Sequence, residues 1–349
     1  MSSDIIFNLA VATVIVVLIF DYTNGFHDAS NIIGTVIASR AMTPIQSVVI
    51  VAVFEFLGPL LGGTAVANTI GGIAKISDLT PVLSMTVVFC GMIGSIFWNL
   101  LTWWFGIPSS SSHALVGGLV GAVIFAAGAD HVVWGFDVLV EKHKLTGVAK
   151  TVAGLIVSPL AAFWTGYIFF RLMRRLLIRA KPSANTWLKR SQFFTMAALA
   201  FSHGSNDAQK SMGIVALILV LGGITPKFEI PFWVMLACSI VIVLGILSGG
   251  WRIVRTIGFG IYKVRPLHAM SAQLTSSALI LGASQWGLPV STTHVASSAI
   301  MGVGSSERAK DVRWSKASEI VSTWIITIPG SGVVGALSFA FAKYVLGVH

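Results

Sequence analysis

The segment Asn24-Gly-Phe-His-Asp-Ala-Ser-Asn31-Ile-Ile-Gly34 returns later in the chain as His203-Gly-Ser-Asn-Asp-Ala-Gln-Lys210-Ser-Met-Gly213. Gly25, Asp28, Ala29 and Gly34 match Gly204, Asp207, Ala208 and Gly213 at one constant offset. A second pair follows in the same order. Gly106-Ile-Pro-Ser-Ser-Ser-Ser-His113 aligns with Gly287-Leu-Pro-Val-Ser-Thr-Thr-His294, at an offset only two residues different. Two motifs that recur in order mark an internal duplication, which either motif alone would not.

The surroundings of these motifs fix the solvent. Of 349 residues, 55% are hydrophobic and 10% charged, against about 25% charged in a soluble domain. Ten apolar segments are read, roughly at 5–39, 45–66, 81–103, 105–128 and 147–178, then 192–224, 231–249, 266–284, 286–304 and 317–346. Several exceed the ~18 residues that a bilayer span requires. The chain is expected to be an all-α polytopic membrane protein, with repeats at 1–180 and 192–349 joined by a basic linker at 181–191. Segments 5–39 and 192–224 are long and polar midway, and 105–128 and 286–304 start in polar Gly/Pro runs. These four are expected to be broken or re-entrant helices.

A formal net charge of +10 does not point to nucleic acid, because the basic residues sit in short loops between apolar spans. With the N-terminus outside, sixteen of them fall inside, at Arg40, in the cluster 171–190 and in the groups around 252–265 and 308–316. Six (Lys75, Lys142, Lys144, Lys150, Lys227, Lys343) fall outside, and Lys210 lies within a span. The bias places the central loop in the cytoplasm and both termini outside. Cys90 and Cys238 lie in apolar runs and read as buried free thiols. The apolar N-terminal stretch lacks a basic n-region and a small-residue cleavage site, so no cleaved signal is expected.

An odd number of spans per half makes the second half enter from the opposite side. Inverted-topology repeats with interrupted helices in matching places are the pattern of a secondary transporter, with its site near the midplane. Asp28 and Asp207 are carboxylates at membrane depth, costing roughly 2.5–3.5 kcal/mol on insertion scales. A cation or a proton would offset that cost; structurally they could instead cap a broken helix. Glu55 is a third buried acid, without an equivalent in 231–249, and either handles a proton or cation or is a hydrogen-bonded core acid. Pro108 and Pro289 suit the first turn of a helix. The runs Ser110, Ser111, Ser112 and Ser291, Thr292, Thr293 would then open half-helices whose free N–H groups, dipoles and hydroxyls face an oxyanion. Read as structure alone, these are small-residue packing positions. His113 and His294 close the runs and are candidates for proton transfer or ligand contact, or satisfied core histidines.

With these residues named, the sequence resembles the inorganic phosphate transporter family, in its bacterial low-affinity branch. The resemblance covers nearly the whole chain. It implies symport of inorganic phosphate with a cation across the cytoplasmic (inner) membrane, no cofactor, and a homodimer. It also implies that Asp28, Asn31, Asn206 and Asp207 handle the coupling cation, and that the Ser/Thr runs hold phosphate. If that cation is sodium, Asp28 and Asp207 are its metal ligands. Two departures matter. In the family the motif of each half is of the form Gly-Ala-Asn-Asp-Val-Ala-Asn-Ala; here His27 stands at its first asparagine, and Lys210 stands at the second one of the later half. Lys210 could occupy the place of a sodium ion, so proton coupling, or carriage of a neutral divalent metal–phosphate complex, is favoured over sodium. Pairing of Lys210 with Asp207 is expected from their three-residue spacing. A carrier of sulfate or another tetrahedral oxyanion would use much the same site. An anion channel and an intramembrane hydrolase fit less well: the paired half-helix sites suit a carrier, and a nucleophile is needed only once.

Overall fold

The computed structural model describes residues 3–348, without the side chains of Ser3, Asp137, Glu141 and Lys142. Lys142, one of the basic residues expected outside, therefore has no described side chain. Thirteen α-helices make up the chain among the described residues. The first half holds α1 (Ser3–Ala38), α2 (Pro44–Leu61), α3 (Ala65–Gly71), α4 (Pro81–Phe105), α5 (Ser111–Ala127), α6 (Phe136–Lys142) and α7 (Gly147–Leu176). The second holds α8 (Ala184–Leu221), α9 (Phe232–Ser248), α10 (Trp251–Arg255), α11 (Pro266–Gln285), α12 (Thr292–Arg308) and α13 (Trp314–Val345).

Apart from the short α6, the order of elements is the same in both halves. A long helix is followed by a helix broken at a glycine pair, then a helix ending before a left-handed glycine (Gly106, φ 67°; Gly287, φ 63°). Next come a 17-residue helix and a long helix with an internal proline, Pro159 or Pro329. The link between the last two repeats to the hydrogen bond: Trp134 Nε1 donates to Ala129 O and Trp314 Nε1 to Ala309 O, both at 2.9 Å.

Five helices (α1, α2, α4, α7, α13) are long and apolar enough to cross a membrane, and the bent pair α9–α10 makes a sixth. Each of the ten apolar segments corresponds to one main helix. The remaining four fall short because α5 and α12 have 17 residues, while α8 and α11 turn polar side chains inward.

The expected breaks in the first and sixth segments are not there. α1 and α8 run unbroken for 36 and 38 residues. Neither contains proline; the motif side chains Asp28, Asn31, Asn206, Asp207 and Lys210 bond to other elements, while hydroxyls such as those of Thr23, Ser30 and Ser202 donate to local carbonyls without opening the helix. The breaks lie at Gly62–Gly63 and Gly249–Gly250. At the second the axis turns by 64°, and a Cβ on Gly250 would sit 2.1 Å from Phe26 O. The expected re-entrant starts are present: α5 and α12 begin inside the protein, with every residue from Ser109 to Ala114 and from Ser291 to Ala296 buried.

The halves interlock. α5 packs on α13 and α12 on α7, while α1 packs on α9 and α2 on α8. The motif glycines allow the last two crossings. A Cβ on Gly25 would lie 2.2 Å from Ile242 O of α9, and one on Gly204 would lie 2.4 Å from Glu55 O of α2. Gly117, Gly118 and Gly121 serve the α5 contacts in the same way. Cys90 and Cys238 are buried and unpaired.

Candidate functional site: two carboxylates between two helix starts

The site forms where the middles of α1 and α8 meet the first turns of α5 and α12. Ser110 and Ser291 are the N-caps, and each Oγ accepts from the N–H three residues on, at His113 and His294, both at 3.2 Å. Capping satisfies one of the four N–H groups that a helix start leaves free. It also commits these two hydroxyl oxygens to the helices. The next residues, Ser111, Ser112, Thr292 and Thr293, turn their hydroxyls to the carboxylates and Lys210. The two runs touch, with Ser112 Oγ donating to Val290 O at 3.1 Å.

Asp28 is saturated with donors. Its Oδ1 takes hydrogen bonds from His27 Nδ1 and Thr293 Oγ1, both at 3.0 Å. Its Oδ2 takes them from Ser111 Oγ at 3.0 Å and Thr292 Oγ1 at 3.3 Å. Thr292 shares its hydroxyl with Asp207 Oδ2, also at 3.3 Å. On α8, Lys210 Nζ donates to Asp207 Oδ1 at 2.5 Å, Ser112 Oγ at 2.6 Å and Val290 O at 3.2 Å. An ammonium has three donors, and all three are used. The expected pairing of Lys210 with Asp207 is therefore observed.

The contacts obey the repeat. Asn31 Nδ2 donates to Thr293 Oγ1 at 2.9 Å, as Lys210 does to Ser112, the residue matching Thr293. His27 Nε2 lies 3.2 Å from Thr102 Oγ1, at the end of α4. Its counterpart Asn206 donates to Ser284 Oγ at 2.9 Å, at the end of α11. Asn206 Nδ2 thus braces the helix end beside the cluster, while its buried Oδ1 has no partner among the described residues.

Glu55 reaches the cluster through a residue the sequence reading did not select. His203 Nδ1 lies 2.6 Å from Glu55 Oε1, and its Nε2 lies 3.5 Å from Asp207 Oδ2 and 3.9 Å from Asp28 Oδ2. Ligand atoms of Asp28, His203 and Asp207 all fall within 4.8 Å of one another, a grouping able to hold one metal ion. His203 was legible as an imidazole one turn from Asp207, but only the crossing of α2 on α8 reveals that it bridges three acids.

His113 and His294 stand apart. Their rings meet edge-on at 4.5 Å between centroids, and His294 stacks on Trp324 at 3.8 Å. Both line an apolar groove between α7 and α13. As third residues of their helices they point away from the side that Ser111 and Thr292 present.

Residues 24–335 match the phosphate transporter family. The chain belongs to this family. A probable low-affinity inorganic phosphate transporter of Bacillus subtilis (strain 168) is 40% identical over 344 residues, covering 96% of this chain and 98% of its own length. One from Rhizobium meliloti (strain 1021) is also 40% identical, over 99% of this chain and 100% of its own. Among solved structures, one described as the sodium-dependent phosphate transporter superposes with a TM-score of 0.83 at 24% identity, over 96% of this chain and 99% of that one. This likeness shows that the two share the fold. The matched span contains both motif pairs, since it runs from Asn24 past His294.

Proposed function

We propose that this chain carries inorganic phosphate across the cytoplasmic membrane by symport, with the proton as coupling ion. The observation that carries the reading is the saturation of Lys210 by Asp207, Ser112 and Val290. A tethered ammonium stands where the repeat would put the neutral amide of an asparagine, and it repels a sodium ion from that place. Phosphate suits the junction of α5 and α12, where two positive helix ends, four hydroxyls and Lys210 converge. The same junction holds Asp28, whose negative charge opposes a phosphate anion in a low-dielectric setting. Phosphate can therefore settle only when a cation or proton bound nearby offsets that charge, and that requirement couples the two fluxes.

The family membership supports phosphate as substrate, as do the names of the relatives, each a probable low-affinity inorganic phosphate transporter. The matching order of elements and the reciprocal packing of the halves support an inverted repeat about a two-fold axis. The basic bias of the loops supports a cytoplasmic central linker and external termini.

A second reading is favoured by the Asp28–His203–Asp207 triad: the cargo is a neutral divalent metal–phosphate complex whose metal enters that triad. One experiment addresses both. Purified protein in proteoliposomes is given a pH gradient or a sodium gradient, each with and without magnesium. Uptake driven by the pH gradient alone is the expected result. A sodium gradient that drives uptake at fixed pH would overturn proton coupling, and strict dependence on magnesium would favour the metal–phosphate cargo. Competition by sulfate tests the anion.

A further inference from the structure

We propose that Asp21 is a proton-binding site of this carrier, separate from the Asp28–Asp207 cluster; the inference rests on the proton-coupled reading above. Asp21 lies seven residues before Asp28 on α1, two turns away on the same face. It is fully buried. Its Oδ1 accepts from Ser211 Oγ of α8 at 2.9 Å, whereas its Oδ2 has no partner among the described residues. One turn on, Asn24 is also fully buried, and neither its Oδ1 nor its Nδ2 has a partner there.

Among the described residues no cation pairs with Asp21. From α8 comes Ser211, from α9 the thiol of Cys238, close enough to act as a weak donor to the carboxylate without a hydrogen bond of full geometry, and farther off stand the acids Asp207 of α8 and Glu55 of α2. Among the described residues Asp21 joins no ion pair, unlike Asp28, Glu55 and Asp207. Val17 and Phe20, its neighbours on α1, belong to a buried apolar core that also takes in Ile214 and Val215 of α8 and Ile242 of α9. A carboxylate buried without a counter-ion is neutralised by taking up a proton. The proton on Oδ2 makes that atom a donor, and Asn24 Oδ1 is an open acceptor one turn away. A metal cation fits poorly. Hard cations take about six oxygens, and the side chains here offer the two Asp21 oxygens, Asn24 Oδ1 and Ser211 Oγ.

Asp28 and Asp207 are poor places for the exchangeable proton, since the first accepts four donors and the second holds Lys210. Asp21 can gain or lose a proton without breaking an ion pair. It also has no counterpart, because the repeat offset sets Ala200 opposite it. The first half thus adds an acid where the second adds Lys210. On the inferred topology Asp21 lies on the outer side of Asp28. It would take a proton from outside in one conformation and release it inward in the other, with only O–H bonds made and broken.

The test uses full-length protein in proteoliposomes. In Asp21→Asn, uptake driven by a pH gradient falls at least about tenfold, while phosphate–phosphate exchange without a gradient stays near wild type. Asp21→Glu restores gradient-driven uptake. The infrared carbonyl band of a protonated carboxyl at neutral pH weakens in Asp21→Asn. Gradient-driven uptake at the wild-type rate in Asp21→Asn would overturn the inference, as would an unchanged carbonyl band or equal loss of exchange in a folded variant. Failure of the wild type to respond to a pH gradient would instead sink the proton-coupled reading itself.

Discussion

Lys210 Nζ lies 2.5 Å from Asp207 Oδ1, with both side chains buried in the middle of α8. Neither group can be removed singly without stranding the other. Lys210→Met should lower stability by about 3–5 kcal/mol, the usual cost of leaving one buried charge unpaired. The double variant Lys210→Met/Asp207→Asn should recover much of that loss. Thermal unfolding in detergent reads both, and additive losses would mean that the pair is not coupled.

The same pair predicts an ion-selectivity change. Lys210→Asn recreates the amide that Asn31 supplies in the first half, so a sodium gradient should begin to drive phosphate uptake. Wild-type ion dependence at the wild-type rate in this variant would show that the ammonium does not govern the choice of cation. Asp28→Asn, which disturbs the acid on which four donors converge, should abolish coupled uptake.

Ser111 and Thr292 both donate to Asp28 Oδ2, and each is the first residue of its helix. Replacing both with alanine should raise the apparent phosphate constant at least about tenfold, because two hydrogen bonds to the anion or its neighbouring acid are lost. Ser110 and Ser291, the caps, behave differently. Alanine there should cost about 1 kcal/mol of stability each. Kinetics and melting curves on the two sets separate ligand contact from capping.

Gly25 crosses α9 so closely that an added methyl meets Ile242 O at 2.2 Å. Gly25→Ala should destabilise by roughly 1–3 kcal/mol. Gly282→Ala, inside α11 with nothing within 4 Å, should be neutral or stabilise by up to about 1 kcal/mol. Equal melting temperatures would mean that the α1–α9 crossing is looser than described.

A cysteine at Ser183, exposed in the basic linker, should resist an impermeant maleimide in intact cells and react once the membrane is opened. A cysteine at Asp130 should react in both. Neither native thiol interferes, since Cys90 and Cys238 are buried. Labelling of Ser183→Cys in intact cells would reverse the topology.

Much of the site was legible because it is duplicated. The repeat alone singles out Asp28, Asp207 and the two hydroxyl runs, and three-residue spacing brings Lys210 to Asp207. What stayed hidden depends on contacts distant in sequence. His203 reads as one more polar residue until α2 brings Glu55 beside it. Asp21 has no echo in the second half, so a search by repetition passes over it. Polar residues inside α1 and α8 suggested breaks, but inward-facing side chains with partners on other helices leave a helix whole. The real breaks are glycine pairs in segments whose hydropathy gives no warning. His113 and His294 repeat faithfully, yet their place on the helix wheel turns them from the acids.

The reciprocal packing of the halves also governs how the protein is made. α1 rests on α9 and α2 on α8, so the first half leaves the ribosome with Asp28 short of Thr292 and Thr293 and Glu55 without His203. At roughly 5–20 residues per second, α9 follows α1 by about ten to forty seconds. During that interval an early helix carries bare acids in or beside the bilayer, and the insertion machinery must shelter it until its mates arrive. Membrane integration of this carrier is therefore a task completed after the last helix, and a nascent chain stalled at the linker is a natural substrate for quality-control proteolysis.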